Sequence, residues 1–199
     1  MVKRRFIYLV VVILAVAATW FQLAYQRPPK PAALPTYRQV PDFQLTERSG
    51  KTISLADLKG KVWVADFFYA SCPGPCPMIS NRLSGLQKEA LKDSDVRFVS
   101  ISTLPDMDTP EVLKAYANRF HASENQWLFL TGDKSQIYNL SNKGFLLAAV
   151  EQKDAEAPVI HSTQLSLVDK AGNIRGYYDG TDDARTHQLL DDIQTLLRE

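Results

Sequence analysis

Between Lys61 and Tyr69 the chain reads KVWVADFFY, apolar on successive residues rather than on alternate ones. A strand with one wet face alternates, whereas a strand that is apolar throughout is covered on both sides. The run therefore belongs in the middle of a sheet, with helices packed above and below it. Gly60 precedes it, and it leads directly into Cys72-Pro73-Gly74-Pro75-Cys76-Pro77. Asp66 is the one acidic residue inside the run. A buried carboxylate needs a hydrogen-bond partner or a raised pKa. We read it first as a structural hydrogen bonder and second as an aid to thiol proton transfer.

The flanking segments extend this pattern. Met78 to Leu91 carries Ile79, Leu83, Leu86 and Ala90 at helical spacing, Val96 to Ile101 is a second buried strand, and Trp127 to Leu130 is a third. Thr109-Pro110-Glu111 starts a helix that runs to about Phe120, with a capping hydroxyl followed by proline at the first position. PDFQLTERSGKTISL, from Pro41, gives two short strands around a Ser49-Gly50 turn. Lys134 to Leu140 is a short helix, and residues 141–160 show no regular period. Leu165 to Val168 and Ile174 to Tyr178 form a hairpin around the turn Asp169 to Asn173. Thr181 to Leu197 is a helix with Leu189, Leu190, Ile193, Leu196 and Leu197 on one broad face. The order implies an α/β fold, a mixed sheet flanked by helices. Trp63, Phe67 and Phe68 belong to its core; Tyr177 and Tyr178 read first as partly core strand tyrosines and second as lining a partner-binding face.

Phe6 to Tyr25 is almost wholly apolar, and roughly 20 residues is the length that a bilayer core requires. Lys3, Arg4 and Arg5 precede it, which favours a cytoplasmic N-terminus with the domain outside. A cleaved signal peptide is the competing reading, permitted by the basic start and the AVA and VAA triplets. The apolar run outlasts a typical signal core, and this favours a retained anchor. Gln26 to Pro41 has prolines at 28, 29, 31, 35 and 41. It can form neither a helix nor a central strand and reads as a spacer. The expected organisation is a basic flank over 1–5, a transmembrane anchor over 6–25, a Pro-rich linker over 26–40 and one domain over 41–199.

Composition removes several function classes. The 23 basic and 22 acidic residues give a formal net charge of +1, with no basic stretch in the domain. No nucleic-acid partner is expected of such a chain. With only Cys72 and Cys76, a secreted fold stapled by several disulfides is excluded. No glycine-rich phosphate loop is present.

The cysteine pair asks for a chemical reason. It lies between a buried strand and a helix start, where unpaired amides favour negative charge and ease thiol ionisation. On one helical turn the sulfurs would share a side, ready to chelate a metal or to close a disulfide after a small adjustment. Cu(I) accepts few, soft ligands such as two thiolates and an imidazole. Zinc usually wants a fourth ligand, and there is no third cysteine. From residue chemistry alone, metal binding and thiol redox stand level. His161 follows Ala157-Pro158-Val159-Ile160 at the mouth of a strand, from which it can face the helix start that carries the cysteines. His121 ends one helix and His187 lies on the last; both read as solvated.

Phe68 to Pro77, Ile101 to Phe120, Trp127 to Gly132 and His161 to Gly180 resemble the Sco/SenC family. The pieces that carry the resemblance are CxxxCP, DTPEVLKAYA, WLFLTG and HSTQLSLVDKAGNIRGYYDG, within about residues 40 to 197. The resemblance implies a thioredoxin-like mixed sheet and a single-pass anchor in the bacterial inner membrane, with the domain in the periplasm. It further implies copper, as Cu(I) or Cu(II), held by Cys72, Cys76 and His161. The function implied is that of a copper chaperone in assembly of the cytochrome c oxidase copper centre. Its partners would be the copper-receiving subunit of that oxidase and other periplasmic copper or thiol-redox proteins. The family also exchanges disulfides with the receiving subunit, so a thiol-disulfide oxidoreductase with Cys72 and Cys76 as catalytic residues is the alternative. A copper or redox sensor is a third class. Two positions depart from the family pattern. Leu104 precedes Pro105, and Ile160 precedes His161, where members carry aspartate. Both changes remove negative charge from near the expected site and leave the three ligands in place.

Overall fold

The computed structural model describes Arg5, Tyr8, Ile13 and residues 15–20, 33–91, 95–152 and 159–199. The chain divides into two units, Met1–Ala33 and Leu34–Glu199. In the first, residues 5, 8, 13 and 15–20 are helical. Much of the anchor expected over 6–25, and the linker from 26 to 32, lie outside the described residues. Among those described, no helix is long and apolar enough to cross a membrane.

The second unit contains, in chain order, β1 Arg38–Gln39, β2 Gln44–Glu47, β3 Thr52–Ser54, α1 Leu55–Leu58, β4 Val62–Phe68, α2 Cys76–Gly85, β5 Val96–Ser102, α3 Pro110–Arg119 and β6 Trp127–Thr131. It continues with α4 Lys134–Asn139, β7 Ala149–Glu151, β8 Val159–His161, β9 Gln164–Val168, β10 Asn173–Asp179 and α5 Asp183–Arg198. Wider π turns over Leu86–Ala90 and Leu140–Phe145 extend α2 and α4.

Every residue of β4 is buried, and β4 lies inside an eight-stranded sheet of order β1-β10-β9-β4-β5-β6-β2-β3. It runs parallel to β5 and antiparallel to β9. Successive residues of β4 part to opposite faces. Val62, Val64 and Phe68 pack with Leu83, Leu113 and Ile193 from α2, α3 and α5. Trp63, Ala65 and Phe67 pack with Leu55, Leu58, Ile137 and Phe145 on the other face. This is the thioredoxin-like mixed sheet flanked by helices, and it explains why the run carries no alternation.

Some boundaries differ from the sequence pattern for identifiable reasons. α2 starts at Cys76, because Pro75 and Pro77 suit a helix entrance, where a missing N–H leaves no bond unmade. α5 starts at Asp183 because the Asp182 carboxylate takes the Ala184 and Arg185 N–H groups, while Thr181 turns its hydroxyl back to Asp179. The patternless stretch 141–160 holds a π turn and the β7–β8 ribbon, a sheet separate from the main one.

The compact unit also takes in the last residues of the spacer. Buried Arg175 donates to the carbonyls of Leu34 at 2.7 Å and Pro35 at 3.0 Å, and to Asp169 at 3.0 Å and Glu199 at 3.1 Å. Hydrogen bonds to charged groups are worth about 1.5–3 kcal/mol. Arg175→Ala should therefore lower stability by about 2 kcal/mol and open the segment around Leu34 to proteolysis. A urea midpoint and a limited-digestion time course check this. An unchanged midpoint together with an unchanged digestion pattern would remove the clamp.

Candidate metal centre

β4 carries the chain to the top of the sheet. Beyond it the Cys72 N–H turns back to the Tyr69 carbonyl at 3.2 Å, Ser71, Pro73 and Gly74 stand exposed, and Cys76 opens α2. Both cysteines are free thiols beneath that thin loop, Cys72 at 7% exposure and Cys76 at 2%. His161 arrives from the β7–β8 ribbon. Its Nε2 lies 3.1 Å from Cys76 Sγ and its Nδ1 lies 3.1 Å from the Ser162 carbonyl. A carbonyl only accepts, so Nδ1 donates to Ser162, and Nε2 is the ring nitrogen that faces the sulfurs. The three ligand atoms of Cys72, Cys76 and His161 lie within 4.8 Å of one another. Ligands about 2.0–2.3 Å from one ion lie at most roughly 4.6 Å apart, so a small inward movement lets the three donors hold one soft metal. His121 and His187 are exposed on other parts of the surface.

The two thiols are inequivalent. The Cys76 thiol as hydrogen-bond donor brings Cys72 down to about 3, against the upward pull of burial and with help from His161 and the Cys76 and Gly74 amides. Cys76 is pushed up by the Cys72 sulfur and by burial. Cys72 is thus the more readily ionised thiol of the pair. Burial pulls His161 down, but the Cys72 sulfur, the Ser162 carbonyl and Asp66 outweigh it and the net movement is upward.

Asp66 is buried and interacts electrostatically with His161 and Cys76, and its structural reading is satisfied. Ser100 Oγ donates to it at 2.5 Å, and Trp127 Nε1 donates to the same Ser100 Oγ at 2.9 Å. Burial, opposed by Ser100 and His161, pushes the carboxyl up to about 6.

Two residues near the site have roles that the sequence did not suggest. Tyr69 is buried in the core, and its ring also meets His161 edge-on at 5.5 Å. Asp108 is 2% exposed and takes the Ala70 N–H at 3.0 Å and the Ser102 hydroxyl at 2.5 Å. It thereby ties the loop after β5 to the base of the thiol loop. Its partner Ala70 is remote in sequence, so no local spacing marks the contact. Leu104, one of the two departures from the family pattern, is buried in that same loop. Tyr178 is buried with its hydroxyl on Asp192 at 2.6 Å, while Tyr177 meets exposed Tyr37 edge-on at 5.3 Å.

Comparison with known proteins follows the same lines. The SCO1/SenC family model matches residues 31–198. The SCO1 protein homolog of Bacillus subtilis is 33% identical over 163 residues, covering 81% of this chain and 84% of that protein. The solved structure of BsSco, described as a member of the Sco family of cytochrome c oxidase assembly proteins with a disulfide switch, superposes with a TM-score of 0.74 at 32% identity, over 83% of this chain and 97% of that one. Bradyrhizobium japonicum ScoI with copper bound superposes with a TM-score of 0.62 at 27% identity, over 79% of this chain and 99% of that one. With its sheet, its thiol loop and a match along nearly the whole second unit, the chain belongs to the SCO1/SenC family.

Proposed function

We propose that this protein binds one copper ion through Cys72, Cys76 and His161 and passes it on during assembly of the cytochrome c oxidase copper centre. The observation that carries this reading is the convergence of two sulfurs and one imidazole within 4.8 Å, a soft donor set suited to Cu(I). The copper held by the similar ScoI chain, and the assembly role named for BsSco, support it. Copper is cargo here. Ser71, Pro73 and Gly74, beside the two cysteines, are exposed, which supports entry of a receiving protein's thiolates that replace the ligands one at a time. The receiver is the copper-binding subunit of the oxidase, with other periplasmic copper or thiol-redox proteins upstream. The apolar stretch 6–25 tethers the domain to the bacterial inner membrane on the periplasmic side.

The inequivalent thiols favour a second activity on the same residues. The Cys72 thiolate attacks a client disulfide, forming a mixed disulfide and releasing one client thiolate. Cys76 then loses its proton and displaces the second client sulfur, closing Cys72–Cys76. Two electrons pass from the dithiol to the client.

Anaerobic titration of the reduced protein with Cu(I), against a chromophoric chelator, tests the copper reading. One copper per chain is expected, and none once the pair is oxidised to a disulfide. Copper retained equally tightly by the oxidised protein overturns it.

A further inference from the structure

We infer that Asn142 is a positioning residue for the imidazole of His161, acting by holding the β7–β8 ribbon in place. The inference rests on the copper reading above for its consequence, though not for its geometry.

β8 brings His161 to the cysteines, yet among the described residues its ribbon forms a two-stranded sheet of its own, apart from the eight-stranded one. Something else must fix its position. Within the ribbon Ala149 stands opposite His161, and the Ser162 N–H donates to the Ala148 carbonyl at 3.0 Å. In an antiparallel pair, hydrogen-bonded and non-hydrogen-bonded positions alternate. The Ala148–Ser162 bond therefore puts Ala149 and His161 at a non-hydrogen-bonded position. The N–H and C=O of Ala149 point away from β8 and must find partners on the other side.

Asn142 supplies both. Its Oδ1 accepts the Ala149 N–H at 2.8 Å, and its Nδ2 donates to the Ala149 carbonyl at 3.0 Å. The side-chain amide thus does for Ala149 what a neighbouring strand would do. Ala149 is 2% exposed, so water is poorly placed to replace either bond. The π turn Leu140–Phe145 carries Asn142 to this point. Ser141 makes a second tie, its carbonyl accepting the Leu147 N–H at 2.9 Å and its hydroxyl donating to the Leu147 carbonyl at 2.7 Å. Between these two ties the chain reverses at Leu146, which adopts the left-handed region at φ 56° while exposed. The chain of contact therefore runs from Asn142 to Ala149, across the ribbon to His161, and from its Nε2 to Cys76.

Asn142 is itself exposed, so its replacement leaves no hole in the core. The test compares wild type, Asn142→Ala, His161→Ala and the double variant, all reduced and anaerobic, by Cu(I) competition against a chromophoric chelator. Partners that orient a metal ligand are typically worth about 10–100-fold in affinity. Asn142→Ala should weaken copper binding roughly 10-fold in the wild-type background and leave the His161→Ala variant unchanged. A purely structural role would weaken both backgrounds equally, because a general loss of stability does not depend on His161. Nitrogen-15 NMR of the His161 ring in metal-free protein supplies a readout independent of copper. Its Nε2 resonance should shift in Asn142→Ala, while the His121 and His187 rings and the number of titratable thiols stay the same. If the wild type itself binds no copper, the NMR arm still decides the positioning role while the copper reading falls. An unmoved His161 resonance, or equal affinity losses in both backgrounds, overturns the inference.

Discussion

Cys76→Ser is expected to lower the affinity of the reduced protein for Cu(I) by at least about 100-fold, since even residues that only orient a metal ligand are worth about 10–100-fold. Cys76 is the best enclosed of the three candidate ligands, at 2% exposure. Its sulfur touches His161 Nε2 at 3.1 Å, so the substitution removes one ligand and the contact that seats another. A serine oxygen is a hard donor and a poor substitute for thiolate at a soft ion. Cys72→Ser should do comparable damage, whereas His161→Ala keeps both sulfurs and loses less. The redox reading orders the variants differently. Client disulfide reduction should survive His161→Ala and fail in both cysteine variants. Cys76→Ser should in addition accumulate the mixed disulfide through Cys72, because the residue that resolves it is gone. Chelator competition and non-reducing electrophoresis with a disulfide-bearing client separate the two. A Cys76→Ser protein that binds copper within tenfold of wild type would remove this thiol from the site.

The parts of this architecture that show in the sequence are those governed by local period or by composition. KVWVADFFY announces a strand buried on both faces because its apolar residues do not alternate, and Val62 and Trp63 indeed pack into opposite layers. Thr109-Pro110 announces α3 because a cap is a local event, and the Thr109 hydroxyl does take the Val112 N–H. The two cysteines were visible as a pair, and His161 as a candidate partner, but the side from which the histidine approaches was not. That depends on the segment from Ser141 to Ala149, where the Asn142 amide and the Ser141 hydroxyl meet backbone groups several positions away. Asp108 reaching Ala70, and Arg175 reaching Leu34 and Pro35, are likewise contacts between remote segments. Such contacts have no period, and a chain read in windows does not reveal them.

In metal-free, reduced protein Asp66→Asn is expected to raise the free energy of unfolding by about 3 kcal/mol at pH 7 and by only about 0.5 kcal/mol at pH 4. Burial raises this carboxyl from 3.8 to about 6, and each pKa unit corresponds to about 1.36 kcal/mol. The sign follows from which state holds the proton. Between pH 4 and 6 the folded protein keeps the proton on Asp66 and the unfolded chain releases it, so stability falls as pH rises through this window. The stabilising contribution of the neutral carboxyl is complete below 3.8 and lost above about 6. Asparagine carries no charge at any pH and its amide oxygen still accepts from Ser100 Oγ, so the variant should show no such fall from this position. Chemical denaturation of both proteins at pH 4, 5, 6 and 7 gives the comparison, and a stability difference that does not grow with pH would mean that Asp66 is not the titrating group. A carboxylate that destabilises the folded chain at neutral pH is consistent with a function for its charge, because functional sites commonly sacrifice stability. That charge already contributes to the upward shifts of His161 and Cys76, two of the groups proposed to receive a cation. Bound copper would offset the burial penalty of the anion. The stability gap between Asp66→Asn and wild type at pH 7 should therefore narrow when both are loaded with copper, and a gap that stays at its metal-free size would leave Asp66 with only its hydrogen bond to Ser100.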